Sequence, residues 1–157
     1  MDLQYEHLLG RAYEPDRMTC YTLVRDFFLD NFGIALPQFS IPADWNADTL
    51  NLIEMIYEGT GFEKVEDWSI RTLRPADVLC VAVRSGNPNH FVINVGGNRL
   101  IHHPFNQMSC SEPMRDFWRM STCFVLRHPA VPDLTPALPT VNIMDLARAR
   151  YDLQPEA

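Results

Sequence analysis

Residues 78–103, VLCVAVRSGNPNHFVINVGGNRLIHH, contain three apolar segments separated by turn-forming residues. A continuous apolar run occupies 78–84, and the segment 90–95 is rich in β-branched residues. Arg99–His102 follows the short Gly-Gly-Asn sequence at 96–98, which is typical of a hairpin turn. The stretch therefore predicts three strands, of which the last two form a β-hairpin.

Helical periodicity precedes these strands. Apolar residues recur at helical spacing across 18–31, and Gly33 follows as a C-terminal stop. The apolar positions are Cys20, Leu23, Val24, Phe27 and Phe28. A second helix is predicted over about 50–58, a short third helix over 112–118, and a last strand over 122–127. Helices followed by an antiparallel meander predict the α+β class, with N-terminal helices packed on the sheet, rather than an alternating parallel fold.

The length of 157 residues fits one domain with an appendage. We expect the domain to occupy 1–128, with a helical insertion at about 40–68 that has the character of a lid. Four prolines lie between Pro129 and Pro139, so 129–157 is predicted to be a Pro-rich C-terminal arm with a short amphipathic helical segment.

The formal net charge of −7 disfavours a nucleic-acid partner, since there is no excess of basic side chains to neutralise phosphates. No apolar run approaches the ~20 residues that span a bilayer, so we expect no membrane insertion. The N-terminal sequence lacks the basic start and apolar run of a signal peptide, which predicts free thiols in a reducing cytosol. The acidity is concentrated in 44–67, whereas 68–128 carry seven arginines against three acids. A basic half suits a substrate with free carboxylates.

The chemistry-bearing candidates are one cysteine and two histidines. Cys20 is predicted in the first turn of its helix, where free N–H groups would stabilise a thiolate nucleophile, and its alternative role is that of a small core residue. If the hairpin turn has three residues, His102 lies opposite Val92 and on the same face as His90. A two-residue turn at 96–97 would bring His103 there instead, and the residue pattern alone leaves both registers open.

The other cysteines are expected to be structural. Cys80 and Cys123 have apolar strand contexts that predict core positions, and Cys110 is in a polar stretch. A zinc site built from the histidines and a cysteine is conceivable, but the chain has no closely spaced cysteine pair and no helical histidine pair. We therefore expect neither a metal site nor a cofactor.

Three stretches carry a family resemblance: LLGRAYEPDRMTCYTLVRDFFLDNFGIALP, LRPADVLCVAVRSGNPNHFVINVGGNRLIHH and FWRMSTCFVLRH. Over roughly 8–128 the chain resembles the NlpC/P60 cysteine peptidases, and most of all the version found in phage tail-tip proteins. The resemblance implies a papain-like fold with Cys20 as nucleophile, His90 as general base and His102, rather than His103, as the residue that orients it. It also suggests that aromatic residues beside the nucleophile contact substrate, namely Tyr13 and Tyr21.

The family usually has Asp before the cysteine and Gly two residues after it, where this chain has Thr19 and Thr22. The usual Gly-Asp-Val before the first strand reads Ala-Asp-Val at 76–78. The resemblance implies a peptidoglycan stem-peptide endopeptidase that is made in the bacterial cytoplasm, carried in the virion tail tip, and active on the host cell wall as the genome enters. The arm at 129–157 would dock onto other tail-tip proteins, such as hub or baseplate subunits, unless it is a disordered tail. The alternative is a structural tail-tip subunit that keeps the fold as a plug or assembly module.

Overall fold

The computed structural model describes residues 1–39, 51–136 and 142–151. Within these ranges a 3₁₀ turn at Glu6–Leu8 precedes the helices α1 (Cys20–Phe32), α2 (Leu52–Glu58), α3 (Asp116–Ser121) and α4 (Ile143–Tyr151). The strands are β1 (Glu63–Lys64), β2 (Val78–Val81), β3 (His90–Gly96), β4 (Arg99–His102), β5 (Cys110–Pro113) and β6 (Thr122–Arg127). They form one antiparallel sheet in the order β1-β6-β2-β3-β4-β5. The predicted α+β class, with helices packed on an antiparallel sheet, is confirmed.

Both faces of the sheet are covered, which explains why β2 is a continuous apolar run buried at every position. Helix α1 packs Leu23, Val24, Phe27 and Phe28 into the core on one face, together with alternate strand residues such as Phe91 and Ile93. The opposite face buries Leu79, Val92, Leu100 and Val125 beneath Trp118 of α3. Because side chains alternate along each strand, successive residues of β3 belong to different layers.

The β3–β4 hairpin has a register that neither predicted turn describes completely. Val92 pairs with His102, as the three-residue turn predicts, but Arg99 pairs with Gly96 instead of Val95. A bulge between Asn94 and Gly96 leaves Val95 without a partner and shortens the turn to two residues. The bulge places one extra residue in β3 and the turn has one residue fewer, so His102 still pairs with Val92.

Three other predictions about the strands need correction. The helix predicted over 112–118 is the strand β5 followed by α3, since residues 110–113 pair with β4. The strand predicted over 78–84 ends at Val81. Cys123, predicted in the core, is exposed, because a register shift between β2 and β6 leaves it as the unpaired residue between Thr122 and Phe124.

The segment predicted as a helical insertion, 40–68, is described only from residue 51 onward. Its described part buries Ile53, Ile56 and Phe62 in the same core as α1, and β1 extends the sheet beside β6. In the predicted arm, Val131 packs against that core and α4 is largely exposed. Residues 137–141 and 152–157 lie outside the described residues. None of the described helices combines the length and apolar character needed to cross a membrane.

An ion pair joins the beginning of β2 to the end of β6. Arg127 donates from Nε and Nη2 to the two carboxylate oxygens of Asp77, each at 2.7 Å, and Asp77 is 1% exposed. The backbone N–H of Arg74 also donates to this carboxylate at 2.8 Å. Asp77, the acid of the Ala-Asp-Val sequence, is thus a structural anchor.

Replacing Arg127 by Met is expected to lower the free energy of unfolding by about 3 kcal/mol, because the buried Asp77 carboxylate loses its charge partner. Urea denaturation measures the change. Arg119→Met is the matched control, since Arg119 pairs with the exposed Asp116 and should change stability by less than about 1 kcal/mol. Equal effects of the two substitutions would contradict the anchoring role.

Candidate active site

The Cys20 thiol lies at the N-terminal end of α1. Cys20 is the first residue of the helix and Thr19 is its N-cap. The backbone N–H of Thr22 donates to the Thr19 hydroxyl at 3.3 Å, and the backbone N–H of Thr19 donates to the Thr22 hydroxyl at 2.6 Å. This reciprocal capping box fixes the first helical turn and hence the position of the thiol.

The same capping box accounts for the two unusual residues around the cysteine. An Asp before the cysteine would cap the helix as the Thr19 hydroxyl does. A Gly at position 22 has no side chain that could accept from the Thr19 N–H. The Thr22 hydroxyl supplies this acceptor and completes the capping box. The two threonines therefore act as a pair in which each side chain serves the backbone of the other.

Burial raises the pKa of the Cys20 thiol. The backbone N–H groups of Phe91, Tyr21 and Cys20 itself oppose this shift by stabilising the thiolate. Burial is the larger effect, so the N–H groups of the helix N-terminus do not by themselves bring the pKa of this thiol below its ordinary value.

The contact with Phe91 brings the thiol to the peptide that joins His90 to Phe91, at the first residue of β3. Among the described residues, no hydrogen bond links the Cys20 sulfur to the His90 ring. The thiol thus contacts the peptide that follows His90 and makes no hydrogen bond to the His90 ring. Catalytic hydrogen bonds often form only when the substrate binds.

The two histidine rings are in direct contact. Nε2 of His90 and Nδ1 of His102 are 2.9 Å apart, as the pairing of Val92 with His102 allows. His103 is directed elsewhere, because its Nε2 donates to the carbonyl of Gln107 at 3.1 Å. The strand pattern left both His102 and His103 open as the partner of His90. In the structure the partner is His102.

The chain of contacts continues to residues that the sequence reasoning missed. Nε2 of His102 lies 3.3 Å from Oε1 of Glu112 and 3.4 Å from the sulfur of Cys110. The indole N–H of Trp118 donates to the other Glu112 oxygen at 3.3 Å, and the Trp118 ring packs edge-on against His102. The Cys-x-Glu spacing at 110–112 could have indicated Cys110 and Glu112, but the helix predicted over 112–118 hid the alternation of a strand.

These contacts set the positions of the protons. A Glu112 carboxylate accepts from His102 Nε2, so Nδ1 of His102 is free to accept from His90 Nε2. His90 then keeps an unprotonated Nδ1, which is the nitrogen a general base needs. Glu112, at one end of this series of contacts, thereby determines the tautomer of His90 at the other end.

Both rings are neutral at neutral pH. Burial lowers the pKa of His90 to about 3, and the neighbouring histidines add to the shift. Burial also lowers the pKa of His102, although Glu112 opposes this effect. Proton transfer from Cys20 would therefore accompany nucleophilic attack, since neither a thiolate nor an imidazolium is present beforehand.

The two tyrosines predicted to contact substrate differ in position. Tyr13 is half-buried, and this burial raises the pKa of its hydroxyl, with the nearby Cys20 adding to the shift. Its ring packs edge-on against His103 and Phe105. Tyr21 is 5% exposed, and its hydroxyl donates to the carbonyl of Pro37 at 2.6 Å. Tyr21 is thus a core residue, which does not fit the predicted substrate contact.

A protein-family model described as the NlpC/P60 family matches residues 9–127. The tail tip assembly protein K of Escherichia phage lambda is 36% identical over 124 residues, covering 79% of this chain and 60% of that protein. The tail tip assembly protein K of Escherichia phage N15 is 25% identical over 123 residues, covering 77% of this chain and 49% of the relative. The chain therefore spans about half to three-fifths of the length of these relatives.

At pH 7, iodoacetamide is expected to alkylate Cys20 more slowly than the exposed Cys123, because only thiolate reacts and burial raises the pKa of Cys20. The Cys20 rate should still be rising at a pH above about 8.5, the ordinary thiol value. Peptide mass spectrometry after timed labelling measures both rates, and urea-unfolded protein is the control in which they should converge. A faster reaction at Cys20 than at Cys123 in the folded protein at pH 7 would contradict the assignment.

Proposed function

The chain belongs to the NlpC/P60 family, and we propose that it is a cysteine endopeptidase that cleaves peptidoglycan stem peptides at the tail tip of a phage. Cys20 is the nucleophile, His90 the general base, and His102 the residue that orients His90. Glu112 joins this set because it holds the tautomer of His102.

The observation that carries the proposal is the continuous contact from Glu112 through His102 to His90, which ends at the peptide against which the Cys20 thiol lies. A core histidine needs only one hydrogen-bond partner, whereas this order of donors and acceptors fixes which nitrogen of His90 is unprotonated, in the residue whose following peptide contacts the Cys20 thiol. Ordering of that kind is what nucleophilic catalysis by a neutral thiol requires.

In the first half of the reaction, Nδ1 of His90 takes the proton of Cys20 while the sulfur bonds to the scissile carbonyl carbon. The charge that develops on the carbonyl oxygen is stabilised by backbone N–H groups in the first turn of α1, including that of Cys20. His90 then gives its proton to the leaving amine as the C–N bond breaks, which leaves a thioester on Cys20.

In the second half, water attacks the thioester carbon and His90 takes its proton. Collapse of the tetrahedral intermediate breaks the C–S bond, and the sulfur takes the proton back from His90. Throughout both halves the His102–Glu112 pair keeps Nε2 of His90 protonated, so that only Nδ1 exchanges protons with substrate and nucleophile.

Charge and relatives support the substrate and the location. Residues 68–128, which include His90 and His102, carry seven arginines against three acids. A stem peptide carries free carboxylates, which such a basic region would attract. The matched relatives are named tail tip assembly proteins, which supports a place in the virion tail tip. From that place the proposed peptidase would act on the host cell wall during genome delivery.

The C-terminal arm, 129–157, is the proposed contact with other tail-tip proteins. Helix α4 exposes the large apolar side chains of Ile143, Met144, Leu146 and Tyr151. Apolar residues of this size on one short helix suit a groove on a hub or baseplate subunit. The arm would thus fix the position of the peptidase within the tail.

The second candidate is a structural tail-tip subunit with little or no hydrolysis. It is favoured by the raised pKa of the Cys20 thiol, since a half-buried, protonated sulfur with no hydrogen bond to the His90 ring among the described residues is also what an inactive copy of the fold would contain. Activity measured with the purified chain separates the two candidates.

Replacing Cys20 by Ala is expected to lower the rate of peptidoglycan digestion by at least about 10⁴-fold, because the nucleophile is lost. Mass spectrometry of released muropeptides measures the rate. Cys123→Ala removes an exposed thiol whose sulfur donates to the carbonyl of Ser121, and it serves as the matched control, with activity retained. Undiminished digestion by Cys20→Ala would disprove the nucleophile, and no digestion by the unmodified protein would favour the structural candidate.

Truncation after Pro136 is expected to preserve the fold and digestion but to prevent incorporation into phage particles. The truncation keeps Val131 and the pairing of Asp133 with Arg74, so the contacts of the arm with the body remain. Complementation of a phage that lacks the protein, followed by immunoblotting of purified particles, measures incorporation. Leu146→Asp should reproduce the defect and Met120→Asp, at an exposed apolar residue of α3, should not. Normal incorporation of the truncated chain would refute the docking role.

A further inference from the structure

Three side chains of different chemistry converge at the edge of the sheet. Nε2 of His102, the sulfur of Cys110 and a carboxylate oxygen of Glu112 all lie within 4.8 Å of one another. We propose that these three residues bind a divalent transition metal ion, with Zn²⁺ the best match, and that the bound ion switches off the neighbouring peptidase site.

The spacing of the three atoms matches a tetrahedral metal site. His102 Nε2 lies 3.4 Å from the Cys110 sulfur and 3.3 Å from Glu112 Oε1, and the sulfur lies 4.0 Å from that oxygen. With Zn–N and Zn–O near 2.0 Å and Zn–S near 2.3 Å, tetrahedral ligands are separated by about 3.3 to 3.6 Å. Only the sulfur–oxygen separation has to shorten, and the Glu112 side chain is 38% exposed and can move.

Backbone pairing holds the ligands in place. His102 on β4 is the direct partner of Cys110 on β5, and Glu112 follows Cys110 by two residues, so all three side chains lie on the same face. Ligands carried by paired strands are positioned more rigidly than ligands on a loop. The site therefore requires little rearrangement on binding.

The ligand types select the metal. A thiolate with an imidazole and a carboxylate is a set that Zn²⁺ uses, whereas Mg²⁺ and Ca²⁺ prefer oxygen ligands alone. The surrounding contacts also suit a metal site, because Nδ1 of His102 is bonded to His90 and the second Glu112 oxygen accepts from Trp118. Three protein ligands leave a fourth position for water.

The effect on the peptidase follows from the positions of the protons and rests on the proposed function. A metal ion on Nε2 of His102 takes the place of the proton there, so the remaining ring proton is on Nδ1 and is donated to Nε2 of His90. Neutral His90 then carries its own proton on Nδ1. Each ring keeps one proton, the Cys110 proton passes to solvent, and His90 can no longer accept the proton of Cys20.

Metal binding is tested first without any assay of activity. The metal-free protein is titrated with Co²⁺, whose thiolate complexes have a charge-transfer absorption band, and then with Zn²⁺ against a chromophoric chelator. We expect one ion per chain, a thiolate band, and at least about 100-fold weaker Zn²⁺ binding in Cys110→Ser, with Cys123→Ser unchanged. In the unsubstituted protein, Zn²⁺ should also protect Cys110 but not Cys123 from alkylation. Absence of the band, or equal affinity in Cys110→Ser, would overturn the site.

The switch is tested by the ratio of peptidoglycan digestion with and without saturating Zn²⁺, taken for each protein separately so that differences in basal rate cancel. The unsubstituted protein and Cys123→Ser should lose most of their activity and recover it with a chelator, whereas the ratio for Cys110→Ser should stay near one. Full activity with the ion bound would refute the switch. A thiolate band in a protein that digests nothing when metal-free would uphold the metal site and refute the proposed function.

Discussion

The pairing of His102 with Val92 determines which side chains meet at the candidate site. The bulge at Val95 maintains this pairing with a two-residue turn, and β5 continues the same register by pairing Cys110 with His102. A shift by one residue would send His102 to the opposite face and bring His103 in its place. The contact with His90, the approach of Glu112 and the position of Cys110 all depend on that one register.

The Cys20 thiol and the His90 ring both favour their neutral forms, which separates two requirements of thiol catalysis. Position is supplied by the backbone, because the capping box holds Cys20 and the strand register holds His90. Charge is not supplied in advance, since burial raises the pKa of the thiol and lowers that of the imidazole. Under the proposed function, the substrate has to bring the proton transfer about, and the tautomer of His90 decides whether Nδ1 can accept the proton.

Local patterns in the sequence were enough to predict the elements that hold Cys20, His90 and His102, because apolar periodicity and turn residues act over short distances. They could not predict β5, since Cys-Ser-Glu-Pro becomes a strand only through its pairing with β4. Cys110 and Glu112 were missed with it. Burial could not be predicted either: Tyr21 follows Cys20 directly, yet the packing of α1 turns its side chain into the core, where burial raises its pKa to about 12.

The two halves of the capping box tolerate different substitutions. Thr19 can change to Asp alone, because a carboxylate caps the helix as a hydroxyl does. A change of Thr22 to Gly removes the side-chain acceptor of the backbone N–H at position 19, at the start of α1, whatever side chain stands at position 19. Position 19 therefore tolerates any short side chain with an acceptor, whereas position 22 completes the box only with a side chain that reaches back to the N-cap N–H.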